Sequence, residues 1–249
     1  MTINIEPHQA FPAIQYTRTR KVLATPAIMR ERRLVMGLRN DPHADVFRQL
    51  RTNVLKQMRE KDWTSIAIVA PTAACGKTFV TANLAIAIAM EVNQTVLIVD
   101  ADLRNPRVGW QFGLDVEKGL LDYLHSEIPV EDMLINPGFD RLVVLPGRHT
   151  TNASSELLSL PKMNSLVDEL KSRYQSRIIL FDLPPLLSSD DAVLFMNQFD
   201  AALLVVEEGK TTPDEVSRSL SILDETNLAG MVLNKSRGKA TNPYKYPID

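Results

Sequence analysis

The chain has 249 residues, 45% of them hydrophobic, and a formal net charge of −2. This length and apolar fraction suffice to bury a full core, and they favour one α/β domain with an N-terminal extension over two domains. The near-neutral charge gives no bulk attraction for nucleic acid, so no nucleic-acid partner is expected. One cysteine excludes an internal disulfide, and the chain has neither a signal peptide nor an apolar run of about 18 residues. We therefore expect a soluble cytoplasmic protein.

Composition divides the chain into an N-terminal extension, residues 1–40, a central domain, residues 41–237, and a flexible C-terminal tail, residues 238–249. Prolines at positions 7, 12 and 26 predict that the extension forms no helix. Its bases cluster in Arg18 to Lys21 and in Arg30 to Arg33. This pattern suits a docking arm for a partner or an acidic membrane surface, and equally a solvated tail.

One amphipathic helix and six strands are predicted in the central domain. The helix runs from Ala44 to Glu60, where apolar residues recur mostly at three- and four-residue spacing: Val46, Phe47, Leu50, Val54, Leu55 and Met58. The strands are short apolar runs at 66–70, 96–99, 142–145, 178–181, 201–206 and 230–233. Strands this uniformly apolar are covered on both faces, so the predicted fold class is α/β, with a mostly parallel sheet flanked by helices on both faces.

A phosphate-binding motif, Ala70-Pro-Thr-Ala-Ala-Cys-Gly-Lys-Thr78, joins the first of these strands to a helical pattern that begins near Phe79. Gly76 lets the backbone approach a phosphate, Lys77 adds a charge between the β- and γ-phosphates, and the Thr78 hydroxyl is placed to ligate Mg²⁺. The backbone amides that would converge on the β-phosphate at the positive end of the helix belong to Ala73, Ala74, Cys75, Gly76, Lys77 and Thr78.

Two interpretations of this loop stay open. Pro71 stands where the usual first glycine of the motif would be, so a chance Gly-Lys-Thr before a helix competes with nucleotide binding, which the flanking strand and alanine-rich helix favour. Cys75 is interpreted as a tolerated loop position, with a redox-sensing thiol as the alternative. The histidines and Cys75 have no metal-ligand spacing, so the metal we expect arrives with the nucleotide.

Acidic residues follow two of the predicted strands directly. Asp100 and Asp102 come after the strand at 96–99, and Asp182 comes after the strand at 178–181. Carboxyl ends of parallel strands meet at one edge of a sheet, where ligands bind. An acid held there suits a Mg²⁺ ligand or a water-positioning group, whereas a single acid after a strand is often only a surface residue.

In their order and number, these motifs resemble the cytoplasmic domain of bacterial tyrosine kinases, which are similar to the MinD and ParA ATPases and serve capsule and exopolysaccharide export. Further matches extend the resemblance over about residues 44–236. The residues that match are Lys77 and Thr78 of the phosphate loop (Walker A), Asp100, Asp102, Arg104 and Pro106 of a D-x-D-x-R-x-P motif (Walker A′), and Asp182, Pro184 and Pro185 of a D-x-P-P motif (Walker B).

The resemblance implies a P-loop NTPase fold of the SIMIBI-like class, with ATP and Mg²⁺ as cofactors. Asn234, at the end of the last strand, resembles the family's adenine-contacting asparagine, with a strand-end turn former as the alternative. The division of roles between Asp100 and Asp102, as base for the acceptor's proton or as metal ligand, stays open. The catalytic residues that the resemblance implies are Lys77, Asp100, Asp102 and Asp182. The metal ligands that it implies are Thr78, Asp100 and Asp182. Phe79 is implied to bind the nucleotide together with the loop residues.

The sequence departs from the family pattern at some positions, which limits the family roles that can be assigned to its residues. Ala74 stands where relatives often have glycine, and Asp45 replaces the glutamate of an E-x-x-R-x-x-R assembly motif. The arginines of that motif match Arg48 and Arg51, which either bind an acidic patch on the next subunit of a ring or form an exposed basic stripe. The tail holds only two tyrosines, where a family tail typically holds a cluster.

The resemblance implies an ATP-dependent tyrosine autokinase that regulates capsule or exopolysaccharide biosynthesis and export. Its acceptor would be Tyr244 or Tyr246 in a neighbouring subunit of a homo-oligomer, although the tail also fits a frayed end. A phenol with a pKa of ~10 is a poor nucleophile at neutral pH, so a nearby carboxylate would act as base. Because the sequence starts at Met1 without a span, we expect a separate membrane-bound polysaccharide co-polymerase as activator, which holds the protein at the inner face of the plasma membrane.

Two other functions compete with the kinase. A positioning ATPase of the MinD or ParA type would carry a lysine four residues before Gly76, where this chain has Thr72. The other alternative is a nucleotide-gated adaptor that regulates polysaccharide chain length. The tail with only two tyrosines is compatible with this function.

Overall fold

The computed structural model of the chain describes residues 19–38, 40–172, 177–188 and 195–237. The predicted arm before residue 19 and the tail with Tyr244 and Tyr246 lie outside these residues. The described strands are β1 Arg20–Lys21, β2 Ser65–Val69, β3 Thr95–Asp100, β4 Ile135–Asn136, β5 Leu142–Leu145, β6 Arg177–Asp182, β7 Ala201–Glu207 and β8 Leu228–Asn234.

Short and medium helices alternate with these strands, and short 3₁₀ turns occur at Val35–Gly37, Val130–Met133 and Met196–Gln198. The described α-helices are α1 Pro26–Glu31, α2 Ala44–Lys61, α3 Lys77–Ala89, α4 Val108–Phe112, α5 Leu120–His125, α6 Ser154–Leu158, α7 Pro161–Ser172 and α8 Pro213–Ile222. Within the described ranges, none of the helices combines the length and the apolar character that crossing a membrane requires.

The strands form one sheet in the order β1-β4-β5-β3-β6-β2-β7-β8. Six neighbouring strands in this order pair in parallel and coincide with the six predicted runs: β5, β3, β6, β2, β7 and β8. The mostly parallel sheet is therefore confirmed. β4 is antiparallel to β5, and β1 is parallel to β4. These last two strands were not predicted, because two residues each are too few to show a periodicity of two.

Side chains of the central strand β2 alternate between two apolar layers. Ile66 and Ile68 pack into the layer that includes residues of α2 and α3, whereas Ala67 and Val69 pack into the layer that includes residues of α5 and α7. Every residue of β2 is buried. Helices therefore cover both faces of the sheet at its central strands, as the apolar runs predicted, whereas in the edge strand β8 Met231 and Leu233 are more than half exposed.

Helix α2 follows the predicted helix, with one difference in its apolar face. Phe47, Val54 and Met58 are buried against the core. Val46 was wrongly placed on that face, since 48% of its surface is exposed. Successive helical residues lie about 100° apart, so Phe47 and its neighbour cannot both face the core squarely.

Part of the predicted extension belongs to the core. The expectation that Pro26 would prevent a helix was wrong, because proline is tolerated at the first helical position, where Thr25 caps α1 by accepting from the Ile28 amide at 3.3 Å. Leu34 is fully buried. The buried side-chain amide of Asn83 in α3 joins this segment to the core. It accepts a hydrogen bond from the Met36 backbone amide at 3.2 Å and donates one to the Arg33 carbonyl at 3.0 Å.

Replacing Leu34 by alanine is expected to destabilise the fold by about 2–5 kcal/mol, because the change leaves a cavity in a closed core. Leu23→Ala is the matched control, since Leu23 lies in the same segment but is 67% exposed. It should change the free energy of unfolding by less than about 0.5 kcal/mol. Urea denaturation followed by circular dichroism measures both, and equally small effects would mean that the segment does not pack on the core in solution.

Candidate nucleotide-binding site

The loop between β2 and α3 has the backbone conformation of an anion-binding nest. Ala74 and Gly76 have φ angles of 65° and 93°, and Cys75 between them lies outside the positive range. Alternation of left- and right-handed residues turns successive amide groups to the same side. A Cβ at Gly76 would lie 2.2 Å from the Asn234 side-chain nitrogen, so this position needs glycine for space as well as for conformation.

Helix α3 begins at Lys77, and the four amide groups of its first turn point back toward the loop. Its 13 residues supply the partial positive charge of a helix N-terminus. The Lys77 side chain is only 8% exposed, and its ammonium nitrogen lies 3.8 Å from Asp102 Oδ2. The loop, the helix end and this ammonium group together form the positive side of the site.

The Walker-type residues predicted from sequence meet at Asp182. The Thr78 hydroxyl donates to Asp182 Oδ2 at 2.6 Å. Thr81, one turn later, donates to Asp182 Oδ1 at 3.1 Å and was not predicted as part of the site. Its three-residue spacing from Thr78 was the available signal, because residues three apart share one face of a helix.

Asp100 lies beside Asp182, since the two are paired residues at the ends of β3 and β6. Both are fully buried. Asp100 Oδ2 accepts from the Val108 amide at 2.9 Å, whereas its Oδ1 is buried without a hydrogen-bond partner. A buried carboxylate oxygen without a donor is costly, so a ligand that reaches it would be stabilised.

The electrostatic balance around these residues favours a cation. Burial raises the pKa of Asp182 to about 6, although the charge of Lys77 and the hydrogen bond from Thr78 act against the rise. Burial and the neighbouring Asp182 charge raise the pKa of Asp100 well above its usual value. When both buried carboxylates are ionised they repel each other, so a cation that reaches them would be stabilised.

These residues fit Mg²⁺, which takes oxygen ligands and usually combines one or two carboxylates with phosphate oxygens. Across the described ranges, no three His, Cys, Asp or Glu side chains converge so as to hold a metal by themselves. Thr78, Asp182 and the orphaned Asp100 oxygen are therefore suited to a metal whose other ligands come from a nucleotide.

The remaining predicted loop and base-binding residues lie close together. Asn234 Nδ2 donates to the Cys75 carbonyl at 2.8 Å, which binds the end of β8 to the loop. Lys235, which sequence reasoning missed, donates to the Ala74 carbonyl at 2.8 Å. The Cys75 side chain is buried, with its sulfur 3.6 Å and 3.8 Å from two threonine hydroxyls, and burial favours its interpretation as a structural loop residue.

The two arginines of the assembly motif differ in their surroundings. Arg48 is half-exposed and pairs with Asp45 on the same helix. Arg51 is 19% exposed, lies 3.1 Å from the Glu91 carboxylate and donates to the Ala87 carbonyl at 3.3 Å. Arg51 thus joins α2 to the end of α3, so the pair does not form a uniformly exposed basic stripe, and the binding of a neighbouring subunit stays a prediction.

Comparison with known proteins places this site in a family. Residues 63–214 match the family model described as an AAA domain. The chain is 32% identical over 212 residues to the putative tyrosine-protein kinase EpsB of Ralstonia solanacearum, a match that covers 83% of this chain and 27% of EpsB. The chain thus corresponds to about a quarter of that relative's length.

Solved structures show the same fold. The kinase domain of the Escherichia coli tyrosine kinase ETK superposes with a TM-score of 0.76 at 27% identity, covering 92% of this chain and 93% of the other. The septum site-determining protein MinD of Pyrococcus horikoshii, solved with Mg-ADP, superposes with a TM-score of 0.59 at 27% identity, covering 70% of this chain and 72% of the other. The predicted P-loop NTPase fold and the predicted family are confirmed.

Replacing Asp182 by asparagine is expected to stabilise the nucleotide-free protein at neutral pH. The pKa of Asp182 is raised from 3.8 to about 6 in the native state. Between these pH values the native carboxyl group therefore binds more protons than the unfolded one. The free energy of unfolding of the wild type consequently falls as the pH rises through this window. At pH 7.5 the variant should exceed the wild type by on the order of 2–3 kcal/mol, and the gap should shrink toward pH 4.

Urea denaturation in EDTA across this pH range measures the gap. Asp140→Asn, which makes the same chemical change at an exposed turn residue, is the control. An Asp182→Asn variant that is less stable than the wild type at pH 7.5 would contradict the electrostatic account of the site.

Proposed function

Because the chain belongs to the P-loop ATPase family of the bacterial tyrosine kinases, we propose that it is an ATP-dependent protein-tyrosine autokinase that regulates capsule or exopolysaccharide biosynthesis and export. The observation that carries the proposal is the contact between the Thr78 hydroxyl and the Asp182 carboxylate beside Lys77. It joins the three groups that a phosphoryl-transfer site needs for a nucleotide and its metal.

The nucleotide would be ATP, held by the amide groups of residues 73–78 and the Lys77 ammonium group. When bound, Mg²⁺ supplies positive charge to the β- and γ-phosphates. Thr78, Asp182 and Asp100 would hold that ion, and Phe79, directly after the loop, would lie along the nucleotide. Asn234 as an adenine contact remains a proposal, supported by its position at the loop.

Phosphoryl transfer also needs a place for the acceptor. A cavity of about 340 Å³ beside Asp100 is lined by the carboxylate itself, Trp110, Pro106, Arg32 and Arg148 among others. It is wide enough for an aromatic ring and brings a phenol near a carboxylate whose raised pKa makes it a stronger base. Asp102 instead contacts Lys77 and accepts from the Asn105 amide at 3.1 Å. This contrast supports Asp102 as the residue that orients Lys77 and leaves Asp100 with one of two exclusive roles, metal ligand or base.

The acceptor would be Tyr244 or Tyr246 from a neighbouring copy, so the active form would be a homo-oligomer. A separate membrane-bound polysaccharide co-polymerase would act as activator and hold the protein at the inner face of the plasma membrane. Support for both comes from the family resemblance, and Arg48, half-exposed on α2, is available to a neighbouring subunit.

A nucleotide-gated adaptor or ATPase of the MinD type is the second candidate, because the MinD structure with Mg-ADP shares the fold. Phosphoryl transfer to water would use the same loop, metal site and carboxylates. Thr72, in place of the lysine of positioning ATPases, favours the kinase.

Phosphosite mapping after incubation with ATP and Mg²⁺ separates these functions. The wild type should acquire phosphotyrosine at Tyr244 or Tyr246, and Lys77→Ala should lower the rate by about 100-fold or more, because it removes the charge that stabilises the transferred phosphoryl group. Lys56→Ala, at an exposed lysine of α2, is the control.

Deletion of residues 240–249 should abolish the phosphotyrosine while leaving ATP hydrolysis in place. ATP hydrolysis by the wild type without phosphotyrosine, with or without a membrane partner, would reject the kinase and favour the adaptor. Absence of ATP binding would reject both.

A further inference from the structure

The end of β8 places two consecutive side chains on the phosphate loop. Asn234 Nδ2 donates to the Cys75 carbonyl and Lys235 Nζ donates to the Ala74 carbonyl, both at 2.8 Å. These residues are 159 and 161 positions away from their acceptors in the chain. Two successive peptide groups of the loop are therefore held by side chains from one neighbouring strand.

Holding the carbonyl groups determines where the amide groups point. In a trans peptide the C=O and N–H bonds of one unit point in opposite directions. If Lys235 holds the Ala74 carbonyl on the outer side of the loop, the Cys75 amide must face the inner side, where a phosphate would bind. Asn234 has the same effect on the Gly76 amide through the Cys75 carbonyl.

Ala74 is the residue for which this restraint matters most. Its φ angle is 65°, in the left-handed region that is unfavourable for a residue with a Cβ. Without an external hydrogen bond, the backbone at Ala74 would relax toward a negative φ and turn the next amide away. Glycine would adopt the same φ without strain.

Lys235 is itself fixed from the opposite side. Its ammonium nitrogen lies 3.0 Å from Glu207 Oε2, at the end of β7, and the Glu207 side chain is only 13% exposed. The contact with Lys235 lowers the pKa of Glu207 below its usual value. Lys210 also pairs with Glu207, at 3.6 Å, from a more exposed position than Lys235. Lys210 thus offers a matched comparison.

We infer that Lys235 is a positioning residue of the phosphate loop, which holds the Ala74 carbonyl outward so that the Cys75 amide is directed at the phosphate of the nucleotide. This inference rests on the proposed nucleotide-binding function. It assigns to Lys235 an effect through the backbone, without contact with the nucleotide. Loss of its ammonium group should therefore weaken nucleotide binding and loosen the loop even when no nucleotide is present.

Titration of the full-length protein with a fluorescent ATP analogue and Mg²⁺ tests the effect on binding. Lys235→Met should weaken binding about tenfold, the loss expected for one hydrogen bond from a charged group at a half-exposed site. Lys235→Arg, which keeps a charged donor, should restore most of the affinity. Lys210→Met should bind as the wild type does.

A double substitution separates positioning from direct contact with the nucleotide. In an Ala74→Gly background, the backbone adopts the left-handed conformation without strain, so Lys235→Met should weaken binding by much less than tenfold. An equal loss in both backgrounds would show that Lys235 acts on the nucleotide directly and would overturn the inference. So would a Lys235→Met variant that binds like the wild type, or an equal loss in Lys210→Met.

Cys75 provides a measurement that needs no nucleotide. It is the only cysteine in the chain, it lies between the two tethered peptide groups, and its side chain is 1% exposed. Lys235→Met should increase its rate of modification by a thiol reagent several-fold in the nucleotide-free protein, whereas Lys210→Met should not. An unchanged rate overturns the inference. A faster rate in a protein that binds no ATP would support the tether and reject the proposed function, so the two failures are distinguishable.

Discussion

Burial of two neighbouring carboxylates is the constraint on which the site depends. Asp100 and Asp182 occupy paired positions on adjacent parallel strands and are fully buried, and the charge of Lys77 acts on Asp182. The layers that cover the sheet also exclude the water that would otherwise screen these charges. A Mg²⁺ ion would supply positive charge where the Asp100 oxygen is buried without a hydrogen-bond partner.

A phosphate site also requires backbone amide groups that all face one ligand. Such a backbone requires residues in the left-handed region, and this chain uses Ala74 as well as Gly76 there. The hydrogen bonds from the end of β8 compensate for that choice, because they hold the carbonyl groups on either side of Cys75. The backbone of this loop is thus hydrogen-bonded to a strand that is distant in sequence.

Much of the fold was predictable because its strands are recognisable from the order of apolar and polar residues along the chain. The six parallel strands are uninterrupted apolar runs, and the loop and its acids stand at their ends. Predictions went wrong where one residue type has two uses. Pro26 begins a helix where a break was expected, and Val46 is exposed although its neighbour Phe47 is buried. Asn83, in the mostly apolar helix α3, is buried because the segment before α2 offers it partners.

The sequence by itself determined the six parallel strands, the helix α2, the chemistry of the loop and the set of acids, since each depends on residues that are neighbours in the chain. Only the tertiary structure decided which of these groups meet. Thr78 and Asp182 are 104 positions apart, and Ala74 and Lys235 are 161 apart. Their contacts follow from the strand order, in which β2 lies between β6 and β7 and β8 lies beside β7. Local periodicity carries no information about that order, because every buried strand of a parallel sheet shows the same apolar pattern.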